Sequence, residues 1–356
     1  MRRILTLLVA ALVVTVAVFW LAGRFAMSSS PHSYVEATDA QKTAARDYLA
    51  ANNIPLPDGW SFQTFEREPG VPLRAGRARV PDAKGTVVIV PGHTAPLDVY
   101  GLSMRELTAA GYSVAGLEQR GQGHSWRPLD NPEKSYQADY GDLSADLAAY
   151  VATLTEDGPV FLLGNSMGGH IALRALGEHE TGVRGAALIV PMVDIITGEF
   201  PYWAARAMSS FYALTGLGEN YSPGGKDWRP DEQALDEPGT CNPNPETTGL
   251  LNAMRTLDPK LRVRSTTNQW VHATMASVGT ITDPAFVARI DEPVFMVTAG
   301  REAYVSTPAA AQLCDGLKRC ERKHFEEAAH CIISEDRERG RAIMADVIAF
   351  YDAQLR

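Results

Sequence analysis

Short, continuous apolar runs alternate with longer amphipathic stretches along most of the chain. Thr86–Val90, Tyr112–Leu117, Phe161–Asn165, Ala186–Val190 and Val294–Ala299 are mostly apolar, with only Ser113 and Thr298 as polar residues inside a run. That is the pattern of strands buried on both faces, as in a parallel sheet. The stretches between them read as helices, so the alternation predicts an α/β fold with a mostly parallel central sheet flanked by helices. Residues 60–80 supply one or two leading antiparallel strands, and Ala37–Asn52 reads as a leading helix. Between Pro191 and Pro293 lie about a hundred residues, too many for an ordinary connection, so they form a unit of their own. Within that unit, Glu199–Met208 and Thr266–His272 read as helices with aromatic faces. The stretch Trp228–Pro245, rich in Pro, Asp and Asn, reads as loop.

The apolar pattern differs at the N-terminus. Ile4–Gly23 is a run of twenty residues without a charge, between Arg2-Arg3 and Arg24. At helical rise, twenty residues span roughly the ~30 Å hydrocarbon core of a bilayer. No A-x-A cleavage site precedes Ser28, which favours a retained transmembrane signal anchor over a cleaved peptide. Arg2 and Arg3 then hold the N-terminus in the cytoplasm, and the rest of the chain lies on the periplasmic or extracellular side.

The chemistry concentrates at turns that follow the buried runs. Gly164-Asn165-Ser166-Met167-Gly168-Gly169 stands between an apolar run and the helical Ile171–Leu176. A strand, a sharp turn with a serine between glycines and then a helix are what a nucleophile elbow requires. There the Ser166 hydroxyl is lifted clear of the backbone and the Met167 N–H faces the oxygen of a reacting carbonyl. A second glycine turn, Pro91-Gly92-His93-Thr94, follows Thr86–Val90. Loops after parallel strands open on one sheet edge, which makes the backbone N–H of His93 the candidate second donor. Of eight histidines, His330 is the candidate base, because serine hydrolases of this type run Ser, acid, His in chain order. His170 lies on the serine's own helix and cannot swing back to it, while His124 occupies another loop at the active edge. Glu302, after the glycine turn that ends Val294–Ala299, is the candidate acid, with Asp291 and Asp315 as poorer alternatives.

These stretches carry a family resemblance. Glu118-Gln119-Arg120-Gly121-Gln122-Gly123-His124-Ser125 resembles a D-x-R-G-x-G-x-S loop with glutamate for aspartate. Ala299–Val305 resembles the acid loop, with Glu302 three residues before Val305, and Ala328-Ala329-His330 the histidine loop. With the elbow, they make the chain from Trp60 onward similar to α/β-hydrolases of the monoacylglycerol lipase type, close to bacterial lysophospholipases of the serine-aminopeptidase-like group. Pro91-Gly92-His93 departs from the family's usual His-Gly start.

The resemblance implies an α/β-hydrolase fold with an inserted helical cap. The chain then divides into an anchor (1–27), a linker and leading helix (28–59), a first core segment (60–191), the cap (192–290) and a second core segment (291–356). It implies a serine hydrolase without cofactor that cleaves a lipid or other ester through an acyl-enzyme, most readily monoacylglycerol or lysophospholipid. Tyr202, Trp203, Met208 and Trp270 would line an acyl tunnel. A membrane-tethered serine peptidase or an esterase of soluble esters fits the same residues. A non-catalytic domain that binds a lipid or a partner is the third reading.

Composition narrows this picture. The net charge of −9, with no cluster of Lys and Arg, argues against nucleic acid as a partner. Four cysteines, Cys241, Cys314, Cys320 and Cys331, allow three disulfide connectivities, of which Cys314–Cys320 with Cys241–Cys331 is one; four reduced thiols are the alternative. No Cys/His spacing points to a metal.

Overall fold

A computed structural model of the chain describes Val14 and residues 32–232, 234–335 and 337–356. The apolar run Ile4–Gly23 thus lies outside the described residues, save Val14. Among the described residues no helix is long and apolar enough to cross a membrane.

The strands β1 (Ser61–Phe65), mostly exposed, and β2 (Leu73–Ala78) come first. The five apolar runs become β3 (Thr86–Val90), β4 (Ser113–Leu117), β5 (Val160–Asn165), β6 (Val183–Ile189) and β7 (Val294–Arg301), each within three residues of its expected bounds, and β8 (Cys320–Ala329) follows. They make one sheet in the order β1-β2-β4-β3-β5-β6-β7-β8. The two β1 and β2 pairings are antiparallel, and the rest are parallel. β8 is longer than the short strand expected before His330. Its charged Cys320–Glu327 stretch is mostly exposed, as an edge strand allows, so apolar patterning does not reveal it.

Strand alternation divides the core into two layers. Val88 and Val90 join Leu143, Leu147, Ile171 and Leu173 on one side, and Val87 and Ile89 join Met104, Leu107, Ile343 and Val347 on the other. The first layer thus comes from α3 (Tyr140–Ala152) and α4 (Met167–Glu178), the second from α2 (Gly101–Ala109) and α11 (Arg337–Ala353). Each fully buried Leu, Ile or Val contributes about 1.5–3 kcal/mol, so the sandwich rigidly holds the loops on its edge.

Residues between β6 and β7 form α5 (Tyr202–Leu214), α6 (Leu250–Leu257), α7 (Asn268–Ile281) and the single turn α8 (Pro284–Val287). α5 packs on α7, and α6 packs on α1 (Asp39–Asn52). α1 starts with a capping box in which Thr38 and Gln41 each satisfy the other's backbone N–H. Tyr48 Oη on α1 donates to the Pro245 carbonyl and accepts from Gly249 N–H, at 2.8 and 3.0 Å. α9 (Thr307–Gly316) and the single turn α10 (Ile332–Glu335) complete the elements. Cysteines pair as Cys241–Cys331 and Cys314–Cys320.

Candidate active site

Ser166 sits between β5 and α4 with φ 52° and ψ −115°, in a region that L-residues rarely occupy. Its surroundings hold it there. Ser166 N–H donates to Ile189 O at 2.9 Å, and its carbonyl accepts from Gly169 and Met192 N–H, both at 2.9 Å. The glycines make this turn possible. A Cβ on Gly164 would lie 2.8 Å from Gly169 Cα, and one on Gly168 would collide with the Val90 carbonyl. Strand and helix approach closely only because both side chains are missing.

Three side chains from the ends of β5, β7 and β8 meet here. Glu302 Oε2 lies 2.7 Å from His330 Nδ1, and His330 Nε2 lies 2.9 Å from Ser166 Oγ. An ionised carboxylate only accepts, so Nδ1 carries the proton and Nε2 is left to accept from the Ser166 hydroxyl. Glu302 Oε1 also accepts from the N–H groups of Ala303, Tyr304 and Val305, at 2.9, 2.9 and 3.3 Å. Burial alone would push this carboxyl up. The His330 contact and the backbone N–H groups outweigh it and hold Glu302 below the usual carboxylate range.

The two proposed oxyanion donors flank the serine. Met167 opens α4, so its N–H has no intrahelical acceptor. In the Pro91–Thr94 turn, Gly92 N–H donates to Tyr100 Oη at 2.9 Å and Thr94 N–H to Gln122 Oε1 at 2.6 Å. The His93 N–H between them has no acceptor among the described residues. The His93 imidazole is occupied elsewhere: Nε2 lies 2.6 Å from Ser135 Oγ and the ring packs on Trp270. Burial, with the Arg255 guanidinium nearby, pushes that imidazole down to about 3, so it stays neutral.

The Glu118–Ser125 loop braces this turn. Gln119 Nε2 donates to Pro91 O at 3.0 Å, alongside the Gln122 contact. Glu118 is fully buried and accepts from Leu97 N–H, His124 N–H and Arg74, at 2.9, 2.6 and 3.1 Å. Arg120 pairs with Asp146 on α3 at 2.5 Å. The motif therefore works as a scaffold. Gln119, Gln122 and Tyr100 are positioning residues that the sequence reading leaves without a role, although two of them lie inside the motif.

The serine faces a cavity of about 930 Å³. Met208 and Trp270 line it; Tyr202 and Trp203 do not, which corrects two of the four expected lining positions. Ala205, Met208 and Ser209, spaced i, i+3 and i+4, make the inner face of α5, and the same periodicity turns Trp203 outward to 74% exposure. His124 is not on the wall either; it pairs with Asp258 at 2.6 Å. His170 is buried between Met192 O and Ser277 Oγ, at 2.8 and 2.6 Å, away from Ser166 Oγ. Asp315 lies on α9, and Asp291 contacts Lys318 and Arg319. Among the described residues one metal-ligand trio forms, His32, Glu133 and Asp227, drawn from three distant stretches and absent from the cavity wall.

Comparison with known proteins places this geometry in a family. Residues 81–337 match the family described as serine aminopeptidase, S33. The chain belongs to that family. It is a serine hydrolase of the α/β-hydrolase type. It is 28% identical over 241 residues to lysophospholipase L2 of Escherichia coli K12, an alignment covering 65% of this chain and 68% of that protein. In fold it is similar to a monoglyceride lipase of Saccharomyces cerevisiae, with a TM-score of 0.65 and 16% identity over 83% of this chain and 96% of that one. A thermostable carboxyl esterase of Bacillus coagulans superposes with a TM-score of 0.67 and 16% identity, over 84% of this chain and all of that one.

Proposed function

We propose that the protein hydrolyses carboxylic esters of single-chain acyl lipids, monoacylglycerol or lysophospholipid, through an acyl-enzyme on Ser166. The observation that carries this reading is the hydrogen-bonded chain Glu302–His330–Ser166 opening on a large, partly apolar cavity. His330 Nε2 takes the hydroxyl proton as Ser166 Oγ bonds to the ester carbon. The N–H groups of Met167 and His93 hold the resulting oxyanion. His330 passes that proton to the departing alkoxide as the ester C–O bond breaks. It then takes a proton from water, whose oxygen attacks the acyl-enzyme, and returns it to Ser166 Oγ as the fatty acid leaves. Glu302 orients the imidazole and stabilises its protonated form. Leu102, Ile195, Ile196, Phe200 and Met208 offer an acyl chain an apolar wall.

The family description names an aminopeptidase, but the cavity favours the lipid. Among the described residues that line it there is no Asp or Glu to receive a peptide's α-ammonium group. By the same reading, Ile4–Gly23 anchors the chain with the catalytic domain on the periplasmic or extracellular side. The two disulfides support an oxidising compartment.

The test is fatty-acid release from 1-palmitoylglycerol and a palmitoyl lysophospholipid by the full chain in detergent micelles. Ser166→Ala should lower release by about 10⁴-fold or more. Release that persists in the variant would overturn the reading.

A further inference from the structure

The charge on the cavity wall is opposite to that of the protein. The chain carries a net −9, yet the described residues lining the cavity include three arginines, Arg255, Arg264 and Arg337, and no carboxylate. Two of the three are engaged elsewhere. Arg264 pairs with Glu232; Arg337 donates to the neutral Asn52 carbonyl at 2.7 Å, and both are only half-buried. Arg255, on α6, differs. It is only 7% exposed. Its Nη2 donates to Val263 O at 2.6 Å and its Nε to Leu261 O at 3.4 Å, both neutral carbonyls. Among the described residues no carboxylate comes within ion-pair distance of it, the buried Glu133 and the cationic Arg127 act on it only at longer range, and Nη1 has no acceptor. Burying an unpaired guanidinium costs several kcal/mol, a cost an anion bound at that wall would offset. Burial draws its pKa down only to about 10, so the group is cationic at neutral pH. Its charge reaches the His93 imidazole, and the His93 N–H is one of the two donors assigned to the ester oxyanion.

We infer that Arg255 receives the phosphate of the substrate's alcohol portion, so that the cavity selects lysophospholipids with a net-negative head group. This rests on the lipid-ester reading. With the ester carbon at Ser166 and the acyl chain along the apolar wall, the alcohol portion is left for the polar wall. α6 supplies Arg255 to that wall, and Asn252 one turn before it. A guanidinium held by two carbonyls is fixed in orientation and meets a phosphate oxygen through charge-assisted hydrogen bonds. A neutral monoacylglycerol leaves Arg255 without an acceptor. A choline or ethanolamine head adds a cation that finds three arginines and no carboxylate. The order of preference is therefore lysophosphatidylglycerol, lysophosphatidylcholine, monoacylglycerol.

The experiment compares kcat and KM of the full chain on 1-palmitoyl lysophosphatidylglycerol, 1-palmitoyl lysophosphatidylcholine and 1-palmitoylglycerol in one mixed micelle, for wild type and Arg255→Met. The expected result is a KM for lysophosphatidylglycerol at least tenfold higher in the variant with kcat within threefold, a loss at least tenfold greater than on monoacylglycerol. Equal losses on both lipids would overturn the inference. A wild-type measurement covers the case in which Arg255→Met does not fold. Glycerol 3-phosphate should inhibit monoacylglycerol hydrolysis competitively while glycerol does not, and equal indifference to both contradicts the assignment. If wild type releases no fatty acid from any of these lipids, the hydrolytic reading fails. Binding of lysophosphatidylglycerol to the Ser166→Ala protein, weakened tenfold or more by Arg255→Met, then still decides the role of Arg255.

Discussion

Glu302 does at one position what an aspartate does elsewhere in this fold, and its extra methylene is matched by the way its loop receives it. One oxygen is taken by three consecutive backbone N–H groups and the other by His330. The length of the side chain and its charge therefore make separable contributions. Glu302→Gln keeps the length and removes the charge, and its amide can present an N–H to His330 that favours the wrong tautomer. It should lower kcat by about 10³–10⁴-fold. Glu302→Asp keeps the charge but falls short of His330, and should retain clearly more activity than Glu302→Gln. Steady-state kinetics on one ester check this, and a Glu302→Gln enzyme as active as Glu302→Asp would remove the carboxylate from the mechanism. Ser166 and Glu302 were legible because each follows an apolar run and a small-residue turn, and His330 because it is the last histidine in a Ser, acid, His chain order. Arg255 was not. Nothing in Leu250–Leu257 marks its arginine, since the cavity exists only once stretches from Asn52 to Arg337 are brought together.

At the level of elements, β3 to β7 were legible within a few residues because burial on both faces leaves few polar positions in each run. Of the helices in the intervening segment, α5 and α7 were legible in kind, though α5 not in orientation, and α6 and α8 were not read. Tyr202 and Trp203 on α5 were taken to face inward, whereas the inner stripe is Ala205, Met208 and Ser209, and Phe211 and Leu214 point out with Trp203. The loop before α6 shows a link that composition leaves open. Cys241 is bonded to Cys331, the residue after His330, and Cys331 N–H donates to Cys241 O at 2.9 Å. A loop of the cavity wall and the turn that carries His330 are thus joined covalently, across 90 residues of sequence. The paired change Cys241→Ser, Cys331→Ser should lower kcat by about tenfold through a looser His330 turn. Cys314→Ser, Cys320→Ser, which opens a loop of six residues at the head of β8, should leave kcat within about twofold. Ester kinetics of the two double variants test the contrast, and equal effects would show that the first bridge only stabilises the fold.

For the whole molecule, the charge pattern predicts location. Arg2 and Arg3 precede the apolar run, so protease added to intact cells or to spheroplasts should digest the catalytic domain, as judged by immunoblot. Protection in spheroplasts, with digestion only after lysis, would place the domain in the cytoplasm and overturn the proposed orientation.

On the proposed anchoring, the attachment of α1 to α6 takes on a mechanical meaning. Residues 28–38 lie between the proposed anchor and α1, at most about 40 Å when fully extended. Val35 O is already taken by Arg262 at 2.7 Å, which shortens the free span. Asn52, Asn53 and Ile54, at the far end of α1, form part of the cavity wall. On the proposed anchor, with a stem of that length and Val35 already fixed to the domain, the catalytic domain would stay near the bilayer with its tumbling limited. It would present one face to the lipid surface, and any pull on the stem would reach the substrate through a single helix.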